Sequence, residues 1–360
     1  MSRGQSLITL KRPIAISNFA VTYRCNGRCS TCGIWRIQDP EHGEMALDEI
    51  RLLFDRNREF LREVVSIQIT GGEPFMRKDL AEIVLTIHQQ LPDCRFWIPT
   101  NALDTMRIKE TTIKILRGLD GGGLGISVSI DGLRETHNRI RGVRGAFEAA
   151  IETLKMLSAL RAANPTLNLS VGMTLTPQNI RQLGAVHSIA RSHGADFSFR
   201  PVNISESYYR NLGATPTHTN SAKHLLPQLQ VYGKELIRRR GFISSLTALR
   251  YAQGTLDYIS GGGVRSLPCT AATTSLSIDP YGKIYPCLFI DEPMGNARKT
   301  KLEEIWGSME AEKARKKITI GDCPNCWVEC EVYREIRKDP IGLLKTALRA
   351  ALDPRTAGIA

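Results

Sequence analysis

The chain has 360 residues, 42% hydrophobic and 23% charged, an ordinary globular composition with enough length for a sizeable core in one large domain or two smaller ones. No run of about 18 apolar residues occurs and residues 1–12 lead into no signal-type apolar stretch, so neither a membrane-spanning helix nor an export signal is expected. The formal charge of +12 leaves room for an anionic partner, but its local runs, Arg238-Arg239-Arg240 and residues 313–317, read as solvated helix faces with no nucleic-acid motif beside them. No nucleic acid is therefore expected. Nine cysteines in clusters point to a reducing cytoplasm rather than a disulfide scaffold.

Residues 14–21 form an apolar run that predicts a strand, and it opens into Cys25-Asn26-Gly27-Arg28-Cys29-Ser30-Thr31-Cys32. Three thiols in eight residues exceed what packing requires. Thiolates are soft ligands that select zinc or iron–sulfur clusters. A structural zinc site closes with four ligands, so three would await a distant fourth; on a four-iron cluster they leave one iron free for a small molecule. Gly27 gives the loop the backbone freedom to wrap such a group. A zinc loop is the alternative at this point.

Residues 47–61 carry the helical period at Ile50, Leu53, Phe54 and Leu61, residues 64–69 are a β-branched run, and 78–90 return to helix. The alternation continues through strand 95–98, helix 105–116, strand 125–130, helix 145–160, strand 167–175, helix 179–192 and strand 197–200. Six strands with helices between them require right-handed crossovers and a parallel sheet, an α/β fold. Active sites of such folds gather at the carboxyl ends of the strands, where the cysteine loop lies.

The other strand ends carry candidate groups as well. Ile69-Thr70-Gly71-Gly72-Glu73-Pro74 pairs glycines, which permit close approach of a ligand, with a carboxylate suited to an ammonium. Pro99-Thr100-Asn101-Ala102 ends the third strand, and alternation puts Ser127 and Ser129 on one face of the fourth, where hydroxyls could meet a ribose or merely line the fold. His137 reads as structural. Arg141 could grip a carboxylate bidentately or serve as a helix cap. Arg200, ending the sixth strand, is a candidate substrate or cofactor contact, and Cys94 stands alone as an ordinary packed or surface residue.

Residues 211–260 are loosely helical, and Gly261-Gly262-Gly263 marks a linker. Five of the nine cysteines follow: Cys269, Cys287, Cys323, Cys326 and Cys330. Residues 278–286 read as a hairpin with a Pro-containing turn. Four thiolates here would also satisfy a zinc ribbon. From 341 to 352, Ile341, Leu344, Leu348 and Leu352 share one helical face beside Lys345 and Arg349. That face is expected to dock on the body; the other reading is a weak membrane-surface helix, hinting at a lipid-like substrate.

The three-cysteine loop resembles the signature of radical S-adenosylmethionine (radical SAM) enzymes, with Thr31 where the family usually has an aromatic and Trp35 three residues beyond. The resemblance implies a partial (β/α)6 barrel. It also implies a 4Fe-4S cluster on Cys25, Cys29 and Cys32 whose free iron chelates the amino and carboxylate groups of SAM. Gly71, Gly72 and Glu73 match the family's GGE motif, which holds SAM's amino group; Thr100-Asn101-Ala102 is similar to the Thr-Asn-Gly often found there, and Asn101, Ser129 and Arg141 are further candidate SAM contacts. The later cysteines resemble the SPASM/twitch module: Cys269, twelve residues, Gly282, four more to Cys287, then Cys323-Pro324-Asn325-Cys326. The full SPASM pattern has seven cysteines and two clusters. Five imply a single auxiliary 4Fe-4S cluster on Cys269, Cys287 and two of Cys323, Cys326 and Cys330, the last being alternatively a free hydrogen-donating thiol.

The resemblance divides the chain into a partial barrel (14–212), a helical linker region (213–262), a small Cys-rich auxiliary-cluster domain with a β-hairpin (263–336) and a basic amphipathic tail (337–360). The function it implies is reductive cleavage of SAM to a 5′-deoxyadenosyl radical, hydrogen abstraction and a two-electron oxidation assisted by the second cluster. Epimerisation or peptide maturation, of RiPP or sulfatase type, are alternatives within the family; a non-catalytic zinc or iron–sulfur interaction module is the alternative outside it. The substrate, a small molecule, peptide or lipid-like compound, is not identified by any motif, and neither is a general base. An electron donor such as flavodoxin or ferredoxin is implied as a partner.

Overall fold

The computed structural model describes residues 12–37, 43–120, 122–206, 208–217, 221–353 and 357–359. β1 (Ala15–Thr22) leads through the cysteine loop to α1 (Leu47–Arg56) and α2 (Arg58–Leu61). The alternation then runs β2 (Ser66–Gly71), α3 (Leu80–Gln90), β3 (Arg95–Thr100), α4 (Thr105–Gly118), β4 (Leu124–Ser129), α5 (Arg134–Arg141), α6 (Ala146–Ala163), β5 (Leu167–Leu175), α7 (Leu183–Ser192) and β6 (Asp196–Pro201). The six strands are parallel and lie in sequence order, as the strand–helix alternation predicts.

α8 (Ala222–Arg240) and α9 (Phe242–Ser260) follow, divided at Gly241, so the loosely helical stretch is an antiparallel-type pair of long helices. The chain then turns at Gly262 and Gly263, both with positive φ, and enters β7 (Ser275–Ile278), β8 (Lys283–Tyr285) and β9 (Gly295–Asn296). β7 pairs parallel with β1, and β8 and β9 add antiparallel, giving one sheet ordered β6-β5-β4-β3-β2-β1-β7-β8-β9. The expected hairpin is β7–β8. Asp279 makes its turn by accepting from the N–H groups of Tyr281 (2.9 Å) and Lys283 (2.8 Å), with Gly282 in the left-handed region. The sheet thus continues without a break past the boundary expected near Gly262.

β1 is buried along its whole length, since it sits mid-sheet with both faces covered. Phe19 packs on Phe54 of α1, while a pairing irregularity between Ile16 and Phe19 turns two polar residues inward. Asn18 accepts from Gln68 of β2, and Ser17 donates to Glu331 (2.7 Å). That carboxylate lies on α12 (Glu329–Arg337), which follows α10 (Leu302–Trp306) and α11 (Met309–Thr319); it also accepts from Ser275 of β7 and pairs with Arg334 at 2.5 Å. One buried ion pair therefore fastens α12 to the two strands where the barrel and the later strands meet.

Two expectations are corrected. The helix expected over 47–61 breaks at Asn57, whose backbone leaves the helical region (φ −113°, ψ 12°) while its buried amide donates to the Leu53 carbonyl and its Oδ1 accepts from Leu302 N of α10, a side chain competing for backbone partners. The face of α13 (Pro340–Leu352) expected to dock instead points outward: Ile341, Leu344, Leu348 and Leu352 are exposed, and the helix packs on α9 and α12 with Thr346 and Ala350 on its buried side. Residues 357–359 help to cover that side, Gly358 lying against the Ala350 backbone, so the less apolar face is the one enclosed.

Candidate active site

The carboxyl ends of β1–β6 open into a cavity of about 720 Å³, and every cysteine singled out as a metal ligand lines it: Cys25, Cys29, Cys32, Cys269, Cys287, Cys323, Cys326 and Cys330. Gly71, Gly72, Glu73, Asn101, Ser129 and Arg141 line it as well. Two constellations more than 230 residues apart in sequence thus face one space, because β7 docks beside β1. Cys94 is buried under the barrel wall, away from the cavity, and packs as an apolar residue.

Backbone contacts from two distant segments shape the first loop. Arg28 N donates to Arg141 O (2.9 Å), Ser30 N to Ile140 O (2.8 Å) and Gly33 N to Tyr209 O (2.5 Å). The Arg28 guanidinium bonds the carbonyls of Cys25 and Gly27 (2.8 Å each), and the Trp35 indole donates to Cys32 O at 3.1 Å. Burial pushes the Cys25 thiol up to about 11 and the Cys32 thiol to about 12. Among the described residues, no three His, Cys, Asp or Glu side chains converge as a single ion would need. Cys25, Cys29 and Cys32 line the cavity, and a polynuclear cluster held there would supply the charge that ionises them.

The paired glycines answer to the chain before any ligand. A Cβ on Gly71 would stand 2.0 Å from Thr22 O, and one on Gly72 2.3 Å from Arg24 O. Gly72 N and Glu73 N donate to those same carbonyls (2.8 and 2.9 Å), so the glycines let β2 lean on the start of the cysteine loop. Glu73 is buried and accepts from Asn101 N (2.6 Å), Thr100 Oγ1 (2.9 Å) and Phe75 N (3.2 Å). Burial outweighs these bonds and pushes its carboxyl up to about 7. Among the described residues, no cationic side chain lies within ion-pair distance of it.

Asn101 reaches the cysteine loop, donating to Asn26 Oδ1 (2.7 Å) with Cys25 Sγ at 3.7 Å. Ala102 beside it adopts φ +62°, a left-handed conformation that costs an L-residue about 1–2 kcal/mol. Arg141 pairs with buried Asp131 at 2.7 Å and directs Nη1 at Cys29 Sγ, 3.9 Å away. Asp131 is fixed in turn by Thr174 N (2.8 Å). His137 accepts from Asp131 N through Nδ1, and burial lowers it to about 4, so it is a neutral structural ring as expected.

The second constellation rests on tertiary packing. Trp327, directly after Cys326, is fully buried; its indole donates to Thr255 Oγ1 (3.0 Å) and stacks on Tyr251 and Tyr258 of α9. Gly254 makes the slot, since a Cβ there would fall 2.1 Å from the indole. Phe289 N donates to Cys287 Sγ at 3.4 Å. Between the two constellations Arg200 faces Glu329 at 3.6 Å. Residue patterns flagged Arg200 but not Glu329, whose one signal was its place beside Cys330.

Residues 19–185 match the model of the radical SAM superfamily, and residues 269–327 match that of the iron–sulfur cluster-binding domain called SPASM. The chain therefore carries a radical SAM domain followed by a SPASM domain. Its relatives include the Fe-coproporphyrin III synthase of Methanosarcina barkeri, 30% identical over 179 residues, a match spanning 50% of this chain and 41% of that protein. The AdoMet-dependent heme synthase of the same organism is 25% identical over 305 residues, 81% of each chain. The mycofactocin maturase MftC of Mycobacterium tuberculosis is 25% identical over 91% of this chain and 74% of its own. Among solved structures, anSMEcpe with bound AdoMet has a TM-score of 0.61 at 15% identity, covering 95% of this chain and 99% of that one, which shows a shared fold.

Radical SAM and SPASM domains imply 4Fe-4S clusters and SAM as cofactors. The residues fit both groups. Glu73, buried and without an ion-pair partner among the described residues, lines the same cavity as the three thiols and bonds through its N–H to Arg24 O beside Cys25, which suits a ligand presenting an ammonium to the carboxylate and an iron-chelating end to the cluster.

Proposed function

We propose that this radical SAM enzyme oxidises its substrate by two electrons, with the thiols of the SPASM region holding an auxiliary 4Fe-4S cluster. The observation that carries the reading is that both sets of cysteines line a single cavity. When bound, the first cluster and SAM supply a 5′-deoxyadenosyl radical able to remove a hydrogen atom from a substrate.

The chain's own residues position and shield. Cys25, Cys29 and Cys32 would hold three irons; Glu73 would take the ammonium of SAM, and Asn101 sets the gap between that carboxylate and Cys25. Ser127 and Ser129 offer hydroxyls on the cavity wall, and Arg141, already committed to Asp131, keeps positive charge beside Cys29. Cys269, Cys287 and two of Cys323, Cys326 and Cys330 would hold the second cluster. The Arg200–Glu329 pair lies in the space left for substrate. A cytoplasmic one-electron carrier of the flavodoxin or ferredoxin type is the proposed donor. Five thiols for four positions also favour a second reading, in which the spare thiol returns a hydrogen atom and the outcome is epimerisation.

Anaerobic reconstitution tests the proposal. About eight irons and eight sulfides per chain are expected, with 5′-deoxyadenosine released from SAM under reduction. Colourless protein carrying zinc would instead identify a non-catalytic binding module. Label transfer from deuterated candidates, peptides and small molecules including tetrapyrroles, into 5′-deoxyadenosine then reads the substrate.

A further inference from the structure

We infer that α13 is a membrane-surface anchor that lays its outward apolar stripe on anionic lipid. Ile341, Leu344, Leu348 and Leu352 are 66%, 60%, 54% and 85% exposed, an unbroken row along one face. Eleven residues at helical rise make the row about 16 Å long. Scattered exposed leucines need no account, but a contiguous row on one helix does.

The stripe is presented rigidly. Asp339 caps the helix by accepting from Gly342 N (2.8 Å), with Pro340 at its first turn. The opposite face, with Leu343, Thr346 and Ala350, is turned to the body, the helix contacts α9 and α12, and a Cβ on Gly358 would meet the Ala350 backbone at 2.5 Å. Binding therefore requires no folding of the helix and forfeits none of the entropy that an unfolded segment would.

Charge decides the occupant. Lys345 and Arg349 flank the stripe, and Arg337 and Lys338 stand in the turn before it. The acidic groups nearby are Asp257 of α9, which lies close enough to Arg250 and Arg349 to feel both charges, Asp339, which faces Arg250 at 4.0 Å, Glu335, which accepts from Lys338, and Asp353 at the helix end. Arg349 is thus partly offset, and Lys345 is the cation beside the stripe with no ion pair among the described residues. Leucines flanked by exposed cations match the boundary between acyl chains and anionic headgroups. A second copy on the same stripe would bring Lys345 and Arg349 of both helices into one interface, where like charges repel. The chain's +12 charge adds longer-range attraction to a negative surface.

The test is co-sedimentation of the full-length reconstituted protein with vesicles of phosphatidylcholine alone or with ~30% phosphatidylglycerol. Wild type is expected to pellet with the anionic vesicles at low salt and to be released by about 0.5 M salt. Leu344→Glu/Leu348→Glu should lower the bound fraction about tenfold, and Lys345→Glu/Arg349→Glu should abolish the preference for phosphatidylglycerol. Unchanged circular dichroism and unchanged 5′-deoxyadenosine formation would show both variants folded. Absence of wild-type binding, equal binding by Leu344→Glu/Leu348→Glu, or a dimer by light scattering that this variant dissolves, would each overturn the inference. None of these outcomes depends on the oxidation proposed above.

Discussion

The two cysteine constellations face the same cavity but are held by opposite means. Cys25, Cys29 and Cys32 sit within eight residues, on a loop pinned by backbone hydrogen bonds from Arg141, Ile140 and Tyr209. Cys269 to Cys330 span three strands and three helices, and converge because Trp327 fills the Gly254 slot and Glu331 ties α12 to β1 and β7. The thiols of the first site are neighbours in sequence, on a loop whose N–H groups bond the distant carbonyls of Ile140, Arg141 and Tyr209. The thiols of the second are gathered by the packing around Trp327 and Glu331, so that site should fail when this packing fails, while the first persists.

The sharpest break in that comparison is expected from the thiols themselves. Cys29→Ala should lower reductive cleavage of SAM about a hundredfold or more, a barrier increase of ~3 kcal/mol, measured as 5′-deoxyadenosine by chromatography. Cys287→Ala should cut iron to about four per chain and leave that cleavage within about threefold of wild type. Equal losses in both would mean that the constellations do not act separately.

Packing comes next. Trp327→Ala should cost about 3–5 kcal/mol in urea unfolding of the cluster-free protein, since it empties a fully buried slot. Glu331→Ala should cost a similar ~3–5 kcal/mol by leaving Arg334 buried without its partner. Both should remove auxiliary-cluster absorbance at temperatures where the first cluster still responds to SAM. Loss of the two clusters together would erase the distinction.

A smaller effect is expected from the buried carboxyl of the first site. Glu73 stands near 7 in the folded chain against an ordinary 4.5, so folding takes up a proton between these values. Its contribution is complete below about pH 4.5 and is lost as pH rises through about 7, a fall of ~3 kcal/mol for the cluster-free protein. Glu73→Gln should flatten that slope and weaken SAM binding about tenfold or more in calorimetry. A residual slope of the same sign should persist from Asp279 in the hairpin, which burial pushes up to about 6. The smallest effect is Ala102→Gly, expected to raise stability by about 0.5–1 kcal/mol, as relief of the left-handed backbone exceeds the entropy glycine gives up.

Much of the barrel was legible in the sequence because its strands are β-branched runs and its helices keep a clear period. The cysteine loop and Gly-Gly-Glu were legible because their geometry is written in adjacent residues. What escaped depended on partners far along the chain. Asn57 interrupts a periodic helix for the sake of Leu302, and Asp131 gained its role from Arg141. Gly71 and Gly72 line the cavity as the motif suggests, but the Thr22–Arg24 backbone that occupies their Cβ side is a partner no adjacent residue announces. In α13 the stripe was correct and its direction was not, since periodicity marks an apolar face without saying what will cover it.

One strand has a consequence for selectivity. β1 feeds the first thiol loop at its carboxyl end and carries β7, and with it the hairpin to Cys287, on its flank. The span between the two redox centres is thereby ruled by a single hydrogen-bonded register, not by a hinge. On the two-electron reading proposed above, a compound is oxidised only if its reacting carbon reaches one end of that gauge while its electrons leave at the other. Adapting the enzyme to a longer or shorter molecule would mean rebuilding side chains on the cavity wall, with the distance between centres left as it stands.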